Sequence, residues 1–368
     1  MPPSPDPPPP HPLNLLELEE LAAAALEPHA YDYYRSGAGE ELTLARNRAA
    51  FAELELLPRV LVDVTSVDLA TRVLGTETSL PIAVAPTAFH RLADTEGEIA
   101  TARGAAAAGA VMCLSSLSNT SMEDVAAARG AEDAPRWFQL YVFRDRAVTR
   151  DLVERAEAAG YSAIVLTVDA PILGRRERDV RNEFELPPGL GIACVGDGVS
   201  APDGESGLAA YFATMLDASL DWDDLEWLVS LTSLPVAVKG VHRADDATRA
   251  LAAGASGVIV SNHGGRQLDT VPATIDMLPA IADAVGGEVD VLLDGGIRRG
   301  IDVVKALALG ADAVLIGRPV LWALASGGAP GVEAAIAMLA AETREAMTLC
   351  GARTVAELGP ELLAPPRR

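Results

Sequence analysis

The sequence has little positive charge and little cysteine, and each shortage excludes a class of protein. Its 29 lysines and arginines are outnumbered by 52 aspartates and glutamates, which gives a net charge of −23 at pH 7. A surface this acidic repels phosphate backbones, so nucleic-acid binding is excluded. The three cysteines, Cys113, Cys194 and Cys350, are too few and too scattered for a disulfide framework or a zinc cluster. We therefore expect buried free thiols and no metal site.

Long apolar runs are also missing. No uninterrupted apolar stretch reaches the roughly 18 to 20 residues of a membrane helix, and no basic segment followed by an apolar one opens the chain. We expect no membrane attachment and a soluble, cytoplasmic protein. With 49% hydrophobic and 22% charged residues, the chain has the composition of a globular protein. Only residues 1–13, which are rich in proline, are predicted to be a disordered tail.

A helical segment precedes the main pattern of the chain. The run from Asn14, NLLELEELAAAAL, consists largely of strong helix formers, and asparagine is a favourable N-cap. The next segment, residues 31–51, is interrupted by Ser-Gly-Ala-Gly. This break predicts two helices joined by a tight turn.

From Pro81 onward, short apolar runs alternate with helical segments of about 12 to 20 residues. Continuous apolar runs indicate strands buried on both faces, and their alternation with helices indicates parallel strands with helical crossovers. There are eight such runs, at 82–86, 111–115, 137–142, 163–169, 235–240, 257–263, 290–296 and 313–319. The predicted fold is α/β, a single (β/α)8 TIM barrel within residues 14–364 that follows the N-terminal helical segment.

One interval between the predicted strands is unusually long. About 65 residues separate the fourth strand from the fifth, and the stretch PPGLGIACVGDGVSAPDGESG within them has turn chemistry and no period. We predict a long, partly mobile active-site loop after strand 4 rather than a separate domain.

The last two strand ends carry the features of a phosphate site. Barrels of this kind commonly bind phosphate between the loops after strands seven and eight. Here DGGIRRG and GRP supply backbone N–H groups at glycines, together with Arg298 and Arg318. Each motif alone is also compatible with an ordinary turn, but their joint position predicts a phosphate site.

His263 and Asp169 are candidates for acid–base chemistry. Of the five histidines, His263 alone is expected to end a barrel strand, in SNHGGRQLD. Asp169 ends the fourth predicted strand and can lie across the barrel mouth from it. A carboxylate in that place fixes the imidazole tautomer and stabilises the imidazolium, so the pair is interpreted as a base and its orienter.

Arg176 and Arg266 are placed to clamp a carboxylate, a task that suits the planar guanidinium. For Arg176 two alternatives remain open. It can form a surface salt bridge with Glu177 or Asp179, or Arg175 can be the residue that points inward.

Lysine is the rarest basic residue, since the chain contains only Lys239 and Lys305. Lys239 ends the fifth predicted strand, where it can form a Schiff base, bind phosphate or place a positive charge beside a cofactor. Lys305 lies in a helical pattern and is expected to be solvated or structural. Tyr141 ends the third strand and can donate a hydrogen bond to a substrate. Among the early tyrosines at 31, 33 and 34, position alone selects none.

These motifs resemble the FMN-dependent 2-hydroxy acid oxidases and dehydrogenases, the family of glycolate oxidase, lactate oxidase and mandelate dehydrogenase. The similarity runs from about Tyr31 to Gly351. It includes YDYYRSGA, APTA, EGE, LSS, FQLYVFRDR, LTVDAP, LGRRERD, VKGV, SNHGGRQLD, DGGIRRG, KALALGAD and IGRP.

The resemblance implies a role for each matching residue. His263 would be the base, Asp169 its partner, and Arg176 and Arg266 the carboxylate ligands. The other substrate contacts would be Tyr33, Tyr141, Phe89 and Leu117. FMN would be bound at the strand ends by Pro86, Thr87, Ala88, Ser115, Gln139, Thr167, Lys239, Ser261, Asp294, Gly295, Gly296, Arg298, Gly317 and Arg318.

The implied reaction oxidises an (S)-2-hydroxy acid to the 2-oxo acid, with O2 as the expected acceptor and H2O2 as its product. Two mechanisms stay open, namely removal of the hydroxyl proton with hydride transfer and removal of the Cα proton. Two other activities also stay open: a dehydrogenase that uses a different acceptor, and a catalytically inactive flavin-binding barrel. The family suggests a homo-oligomer, a homotetramer or an octamer.

Departures from the family pattern bear on specificity. Glycolate oxidase has tryptophan where this chain has Leu117 and methionine where it has Phe89, which predicts a medium-chain or aromatic substrate larger than glycolate. Ala88 stands where the lactate monooxygenase type has glycine. Release of the oxo acid together with H2O2 is therefore expected, rather than coupled decarboxylation.

Overall fold

The structure, a computed structural model, describes residues 12–128, 134–195 and 208–365. Its strands are β1 (Thr71–Val73), β2 (Thr76–Thr78), β3 (Ile82–Val84), β4 (Val111–Ser115), β5 (Arg136–Leu140), β6 (Ala163–Thr167), β7 (Val236–Val241), β8 (Gly257–Val260), β9 (Asp290–Asp294) and β10 (Ala313–Ile316). Strands β3 to β10 pair in parallel, and β10 pairs with β3 to close an eight-stranded barrel. The (β/α)8 barrel predicted from the eight apolar runs is confirmed.

Helices surround the barrel and also precede it. They are α1 (Glu17–Ala25), α2 (Pro28–Arg35), α3 (Leu42–Glu53), α4 (Glu98–Ala107), α5 (Met122–Ala127), α6 (Arg146–Ala158), α7 (Glu177–Arg181), α8 (Leu208–Met215), α9 (Trp222–Leu231), α10 (Ala244–Ala252), α11 (Thr274–Val285), α12 (Gly300–Ala308) and α13 (Arg318–Cys350). As predicted, helices α2 and α3 lie on either side of the Ser-Gly-Ala-Gly break.

The inside of the barrel combines small wall residues with one large side chain. Ala83, Ala163, Ala237 and Ala313 all belong to the inner cluster of buried side chains. Trp137, in β5, belongs to the same cluster and is fully buried. The indole therefore fills space that the alanines leave, which gives the dense packing expected of a barrel interior.

A hairpin of β1 and β2 covers the N-terminal end of the barrel. Leu74, in its turn, joins the inner cluster, and its N–H donates to Asp290 Oδ2 at 2.6 Å. A Cβ on Gly257 would lie 2.7 Å from Leu74 Cδ2, so a larger residue there would displace the Leu74 side chain. The sequence analysis missed the hairpin because strands of three residues give no measurable alternation.

Several predicted strands were too long at their carboxyl ends. Strand β6 ends at Thr167 and β8 at Val260, so Asp169 and His263 lie in the loops that follow. Strand β7, in contrast, continues one residue beyond its predicted end to Val241. The interval predicted as a loop contains α7, α8 and α9, while its residues 196–207 and residues 1–11 of the predicted tail lie outside the described residues.

Helix α13 is the one described helix long and apolar enough to span a membrane, with a mean hydropathy of 1.3 over its most apolar window. The backbone breaks at Gly328, whose φ is 57°, and Pro330 follows. Its buried residues, such as Trp322 and Leu339, pack with α4 and α12. Of the most apolar window, 33% is buried inside the molecule.

Helix α3 is fixed to the loops at the carboxyl end of the barrel. The side-chain amides of Asn47 and Asn262 donate to each other at 2.8 Å in both directions. The carboxylate of Asp269 accepts the N–H groups of Leu42 and Thr43 at the start of α3. These contacts hold the carboxyl end of α2 beside the barrel mouth, where its carbonyl groups become part of the site.

Candidate active site

One cleft at the carboxyl ends of the strands is lined by nearly all the predicted site residues. Its volume is about 1100 Å³ including the open mouth. Of the residues predicted from sequence, only Asp169, Phe89 and Ser261 do not line it. The barrel therefore brings together side chains from all eight strand ends and from helix α2.

The three exceptions have a structural explanation. Asp169 is hydrogen-bonded to His263, which does line the cleft. Phe89 is fully buried, with its ring centroid 5.8 Å from that of Tyr33, so the substrate contact predicted for Phe89 is corrected to packing beneath Tyr33. Ser261 Oγ accepts from Lys239 Nζ at 2.9 Å and from the His263 N–H at 3.1 Å. Ser261 was predicted to line the cofactor cleft. In the structure it instead accepts hydrogen bonds from two residues that do line the cleft.

His263 and Asp169 form a hydrogen-bonded pair, with Nδ1 2.9 Å from Oδ1. Burial alone would raise the pKa of Asp169, but the nearby charges of His263, Lys239 and His242 and the hydrogen bond to His263 lower it. The carboxylate therefore stays ionised and favours the neutral tautomer of His263 with its proton on Nδ1, in which Nε2 is free to accept a proton.

The loop after β8 aims His263 at the cleft by a left-handed turn. The φ angles of His263 and Gly264 are 57° and 62°, and the side chain of Asn262 accepts the Gly265 N–H at 3.2 Å. A left-handed conformation costs a non-glycine residue about 1–2 kcal/mol. Such strain is typical of functional positions that the surrounding structure holds in place.

Two guanidiniums lie against the ring of Tyr33. The Cζ atoms of Arg176 and Arg266 are 5.6 and 5.0 Å from its centroid. Arg176 Nε is 3.2 Å from Asp179 Oδ2, and its buried Nη2 has no hydrogen-bond partner among the described residues. Arg175 is exposed, so Arg176 is the inward residue, and it also makes one of the salt bridges that sequence left open.

Arg266 donates to the end of helix α2. Its Nη1 lies 2.7 Å from the carbonyl oxygen of Tyr33 and 2.9 Å from that of Ser36. Burial and the neighbouring charge of Arg176 lower the pKa of Arg266 to about 10. An anion between the two guanidiniums would relieve this repulsion, so the pair is suited to bind a carboxylate.

A second pair of arginines lies at the ends of β9 and β10. Burial and nearby guanidiniums lower the pKa of Arg318 to about 9 and that of Arg298 to about 10. Among the described residues neither has a carboxylate partner, and Arg318 donates to the carbonyl groups of Tyr34, Ser36 and Gly264. A phosphate would supply the missing negative charge.

The glycines of the predicted phosphate site also have close contacts within the protein. A Cβ on Gly296 would lie 1.8 Å from the Asn47 carbonyl oxygen, and one on Gly295 would lie 3.2 Å from Asn47 Nδ2. Both glycines have positive φ angles, of 91° and 94° respectively. Close packing against α3 therefore requires Gly296, whereas Gly295 is favoured by its positive φ.

Lys239 is a fixed cation at the base of the cleft. Its Nζ lies 3.2 Å from Asp294 Oδ2. Burial alone would lower the pKa of Lys239, but the carboxylates of Asp294 and Asp169 raise it. A lysine held protonated is unsuited to form a Schiff base, so of the three roles considered a positive charge beside a cofactor fits best.

The floor of the cleft is suited to a polar heteroaromatic ring. Gln139 Oε1 accepts from Ser115 Oγ at 3.1 Å, and its Nε2 donates to Thr167 Oγ1 at 3.0 Å, so a polar row crosses β4, β5 and β6. Asp294 Oδ1 is buried without a hydrogen-bond partner among the described residues and can accept from a ligand hydroxyl. Together with the arginine pair, this donor and acceptor set fits FMN.

An apolar wall completes the mouth. Leu117 and Leu173 line it, and the ring of Phe212 makes an edge contact with Tyr141, with centroids 5.5 Å apart. The sequence analysis missed Leu173 and Phe212. Phe212 lies on α8, within the interval predicted as a loop, and no pattern in the sequence indicates it.

Comparisons with known proteins agree with this site. Residues 22–365 match the family model of the FMN-dependent dehydrogenases. The chain is 55% identical over 357 residues to the L-lactate oxidase of Nostoc sp., which covers 95% of this chain and 98% of the relative. It is 50% identical over 345 residues to 2-hydroxyacid oxidase 1 of Homo sapiens, covering 92% of this chain and 93% of the relative.

Solved structures of other proteins are similar to this fold. A structure of mandelate oxidase with (S)-4-hydroxymandelic acid matches with a TM-score of 0.90 and 44% sequence identity, covering 96% of this chain and 98% of that one. The chain thus belongs to the FMN-dependent dehydrogenase family, as an oxidoreductase of the 2-hydroxy acid oxidase type.

Proposed function

We propose that this enzyme oxidises an (S)-2-hydroxy acid to the 2-oxo acid with His263 as the base, and that O2 accepts the electrons and becomes H2O2. One observation carries the proposal: the His263–Asp169 pair shares a cleft with two guanidiniums that flank Tyr33. This arrangement joins a proton acceptor to a carboxylate site, which are the two groups that a 2-hydroxy acid needs. The overall conversion is balanced, since two electrons and two protons pass from the substrate to O2.

The residues at the mouth bind the acid and move its proton. Arg176 and Arg266 bind the carboxylate, and His263 Nε2 takes the proton that the substrate loses. Asp169 stabilises the imidazolium that results. Burial first, and then the charge of Asp169, raise the pKa of Tyr141, so its phenol stays protonated and donates to the substrate.

The strand ends hold the cofactor. FMN, when bound, supplies the two-electron acceptor for the reaction. Arg298 and Arg318 bind its phosphate, the polar row centred on Gln139 contacts its ring, and Lys239 supplies positive charge beside it.

We propose a substrate larger than glycolate, either aromatic or of medium chain length. Leu117, Leu173 and Phe212 form an apolar wall near Tyr141. Leucine at 117 leaves more space than the tryptophan that glycolate oxidase has in this place. The solved mandelate oxidases, which are described with (S)-mandelic acid and (S)-4-hydroxymandelic acid, support an aromatic (S)-acid.

Release of the oxo acid, without further decarboxylation, is also part of the proposal. Ala88 lines the cleft in the position where the lactate monooxygenase type has glycine. Lactate should therefore give pyruvate and H2O2, and acetate as the main product would contradict this.

Anaerobic absorbance spectra of the purified yellow protein test the proposal. Glycolate, lactate, 2-hydroxyoctanoate and mandelate are added in turn, and air is then admitted. We expect faster bleaching with mandelate or 2-hydroxyoctanoate than with glycolate, and rapid reoxidation with stoichiometric peroxide. Slow reoxidation would identify a dehydrogenase with another acceptor. A flavin that no 2-hydroxy acid bleaches would overturn the substrate class.

A further inference from the structure

Strand β7 carries an irregularity next to the catalytic pair. Its register with β8 shifts between Lys239 and Val241, at Gly240, whose φ is 105°. A β-bulge reverses the inward and outward alternation of the residues that follow. Val238 and Val241, three residues apart, both belong to the outer core cluster. By the alternation of a strand, the next residue, His242, follows on the opposite face from Val241, and its Nε2 is buried.

The bulge also lies directly against Asp169. A Cβ on Gly240 would be 2.6 Å from Asp169 Cβ, so only glycine allows the two loops to approach this closely. The charge of His242 is among those that lower the pKa of Asp169. His242 and His263, which follow β7 and β8, thus both lie near this one carboxylate.

Two buried polar atoms in this region have no hydrogen-bond partner among the described residues. One is Asp169 Oδ2, whose neighbour Oδ1 binds His263, and the other is His242 Nε2. The Asp169 side chain is only 4% exposed. A buried carboxylate oxygen without a donor is costly, and an imidazole N–H is a donor of the right chemistry.

We propose that His242 is a second imidazole for Asp169, placed to donate from Nε2 to the free Oδ2 directly or through one water molecule. It is a positioning residue, because it acts on the reaction through Asp169 and His263. Its effect on catalysis rests on the proposed role of His263 as the base. A short rotation of the imidazole, or one water molecule, is needed, because Nε2 and Oδ2 are not hydrogen-bonded in this structure.

The proposal fixes the sign of a pH effect. A donor or a cation on Oδ2 shares the negative charge of Asp169, so less of that charge is available to stabilise the His263 imidazolium. His242 therefore lowers the pH at which His263 gains its proton.

Other charged or titratable groups lie near His242, Asp169 and His263, and the substitutions at His242 leave them unchanged. Lys239 and Tyr141 also interact with Asp169. The first turn of helix α10, just after His242, contains Asp245 and Asp246, and Asp245 is paired with Arg243.

The test compares H242A, H242Q and wild-type FMN-loaded enzyme. The midpoint of the His263 imidazole NMR signal, assigned by its loss in H263Q, should rise by about half a pH unit or more in H242A. Glutamine keeps a donor and should give a smaller rise. H29Q, which changes a histidine on α2 outside the cleft, should leave the midpoint unchanged.

The acid limb of kcat/KM is the second readout. It should move upward together with the NMR midpoint. An unchanged His263 midpoint in both H242A and H242Q would overturn the proposal. A midpoint that moves while the acid limb does not would keep the coupling to Asp169 but remove His263 as the base, so the two failures are distinguishable. If H242A does not fold, the midpoint of the His263 signal in H242Q alone tests the proposal.

Discussion

The cleft has two ends that both collect buried arginines, but they balance those charges differently. At the end proposed to bind phosphate, here called the phosphate end, Arg298 and Arg318 have no carboxylate partner among the described residues, and burial and neighbouring guanidiniums lower their pKa values. At the substrate end, Asp179 pairs with Arg176 and Asp169 with His263. The phosphate end suits an anion that stays bound, whereas the partly balanced substrate end suits an anion that must leave after each turnover.

The two ends are nevertheless joined through one piece of backbone. The carbonyl oxygen of Ser36 accepts from Arg266 at 2.9 Å and from Arg318 at 3.0 Å. Ser36 is the residue that ends α2, where the helix dipole concentrates negative charge. This shared acceptor orients both guanidiniums without neutralising either.

The largest difference between effects on the substrate end and on the phosphate end is expected from R176M. Loss of a charge-assisted carboxylate contact should lower kcat/KM by about 10²–10³-fold. FMN content should stay at the wild-type level, because Arg176 is at the substrate end. Steady-state kinetics and the flavin-to-protein absorbance ratio measure the two effects, with R175M at the exposed neighbouring arginine as the matched control.

The converse variant is R318M. Its affinity for FMN should fall by about 10- to 100-fold, because the phosphate loses a buried charged donor. Titration of the apoprotein with FMN, followed by flavin fluorescence, gives the dissociation constant. R299M, which removes an arginine paired with Glu342 at the surface, serves as the control. Equal FMN affinities of R318M and R299M would contradict the assignment of the phosphate end.

A narrower change sharpens the description of the substrate end. In L117W the indole should fill the apolar wall, so the ratio of kcat/KM for mandelate to that for glycolate should fall about tenfold. L117M, which conserves the side-chain volume, should leave the ratio near that of the wild type. A ratio that L117W does not lower would show that this wall does not set substrate size.

The smallest expected effect is a pH dependence confined to the phosphate end. Arg318 is charged below its lowered pKa of about 9 and loses that charge as the pH rises. FMN affinity should therefore decrease from pH 8 to pH 10.5, by about tenfold or less, because the bound phosphate in turn favours the charged arginine. The same titration of R318M should give a flatter profile, and a steeper one would contradict this source of the pH dependence.

The sequence could predict the barrel because its strands are buried on both faces. Each strand appears as a short apolar run followed by a helical pattern, and strand-end residues such as Lys239 stand out from those runs. The same reasoning identifies the side chains at the strand ends, which the structure places around one cleft. The three-residue strands of the hairpin, β1 and β2, could not be predicted in this way, because they are too short to show a period.

What the sequence could not predict depends on contacts between distant segments. Phe212 enters the cleft from a helix within the interval that was predicted to be a loop, and the need for Gly296 comes from Asn47 on α3. His242 was overlooked because the predicted fifth strand stopped at Gly240, whereas a bulge carries β7 to Val241. A bulge leaves no reliable mark in the apolar pattern beyond a single glycine.

The most direct test of the account is anaerobic stopped-flow reduction of the flavin in wild-type and H263A enzymes with the best substrate of the panel. We expect H263A to keep full FMN content, while the rate of flavin reduction falls by about 10³-fold or more. Reduction at a rate within tenfold of the wild type would contradict the division of the cleft into a cofactor-holding end and a proton-accepting end.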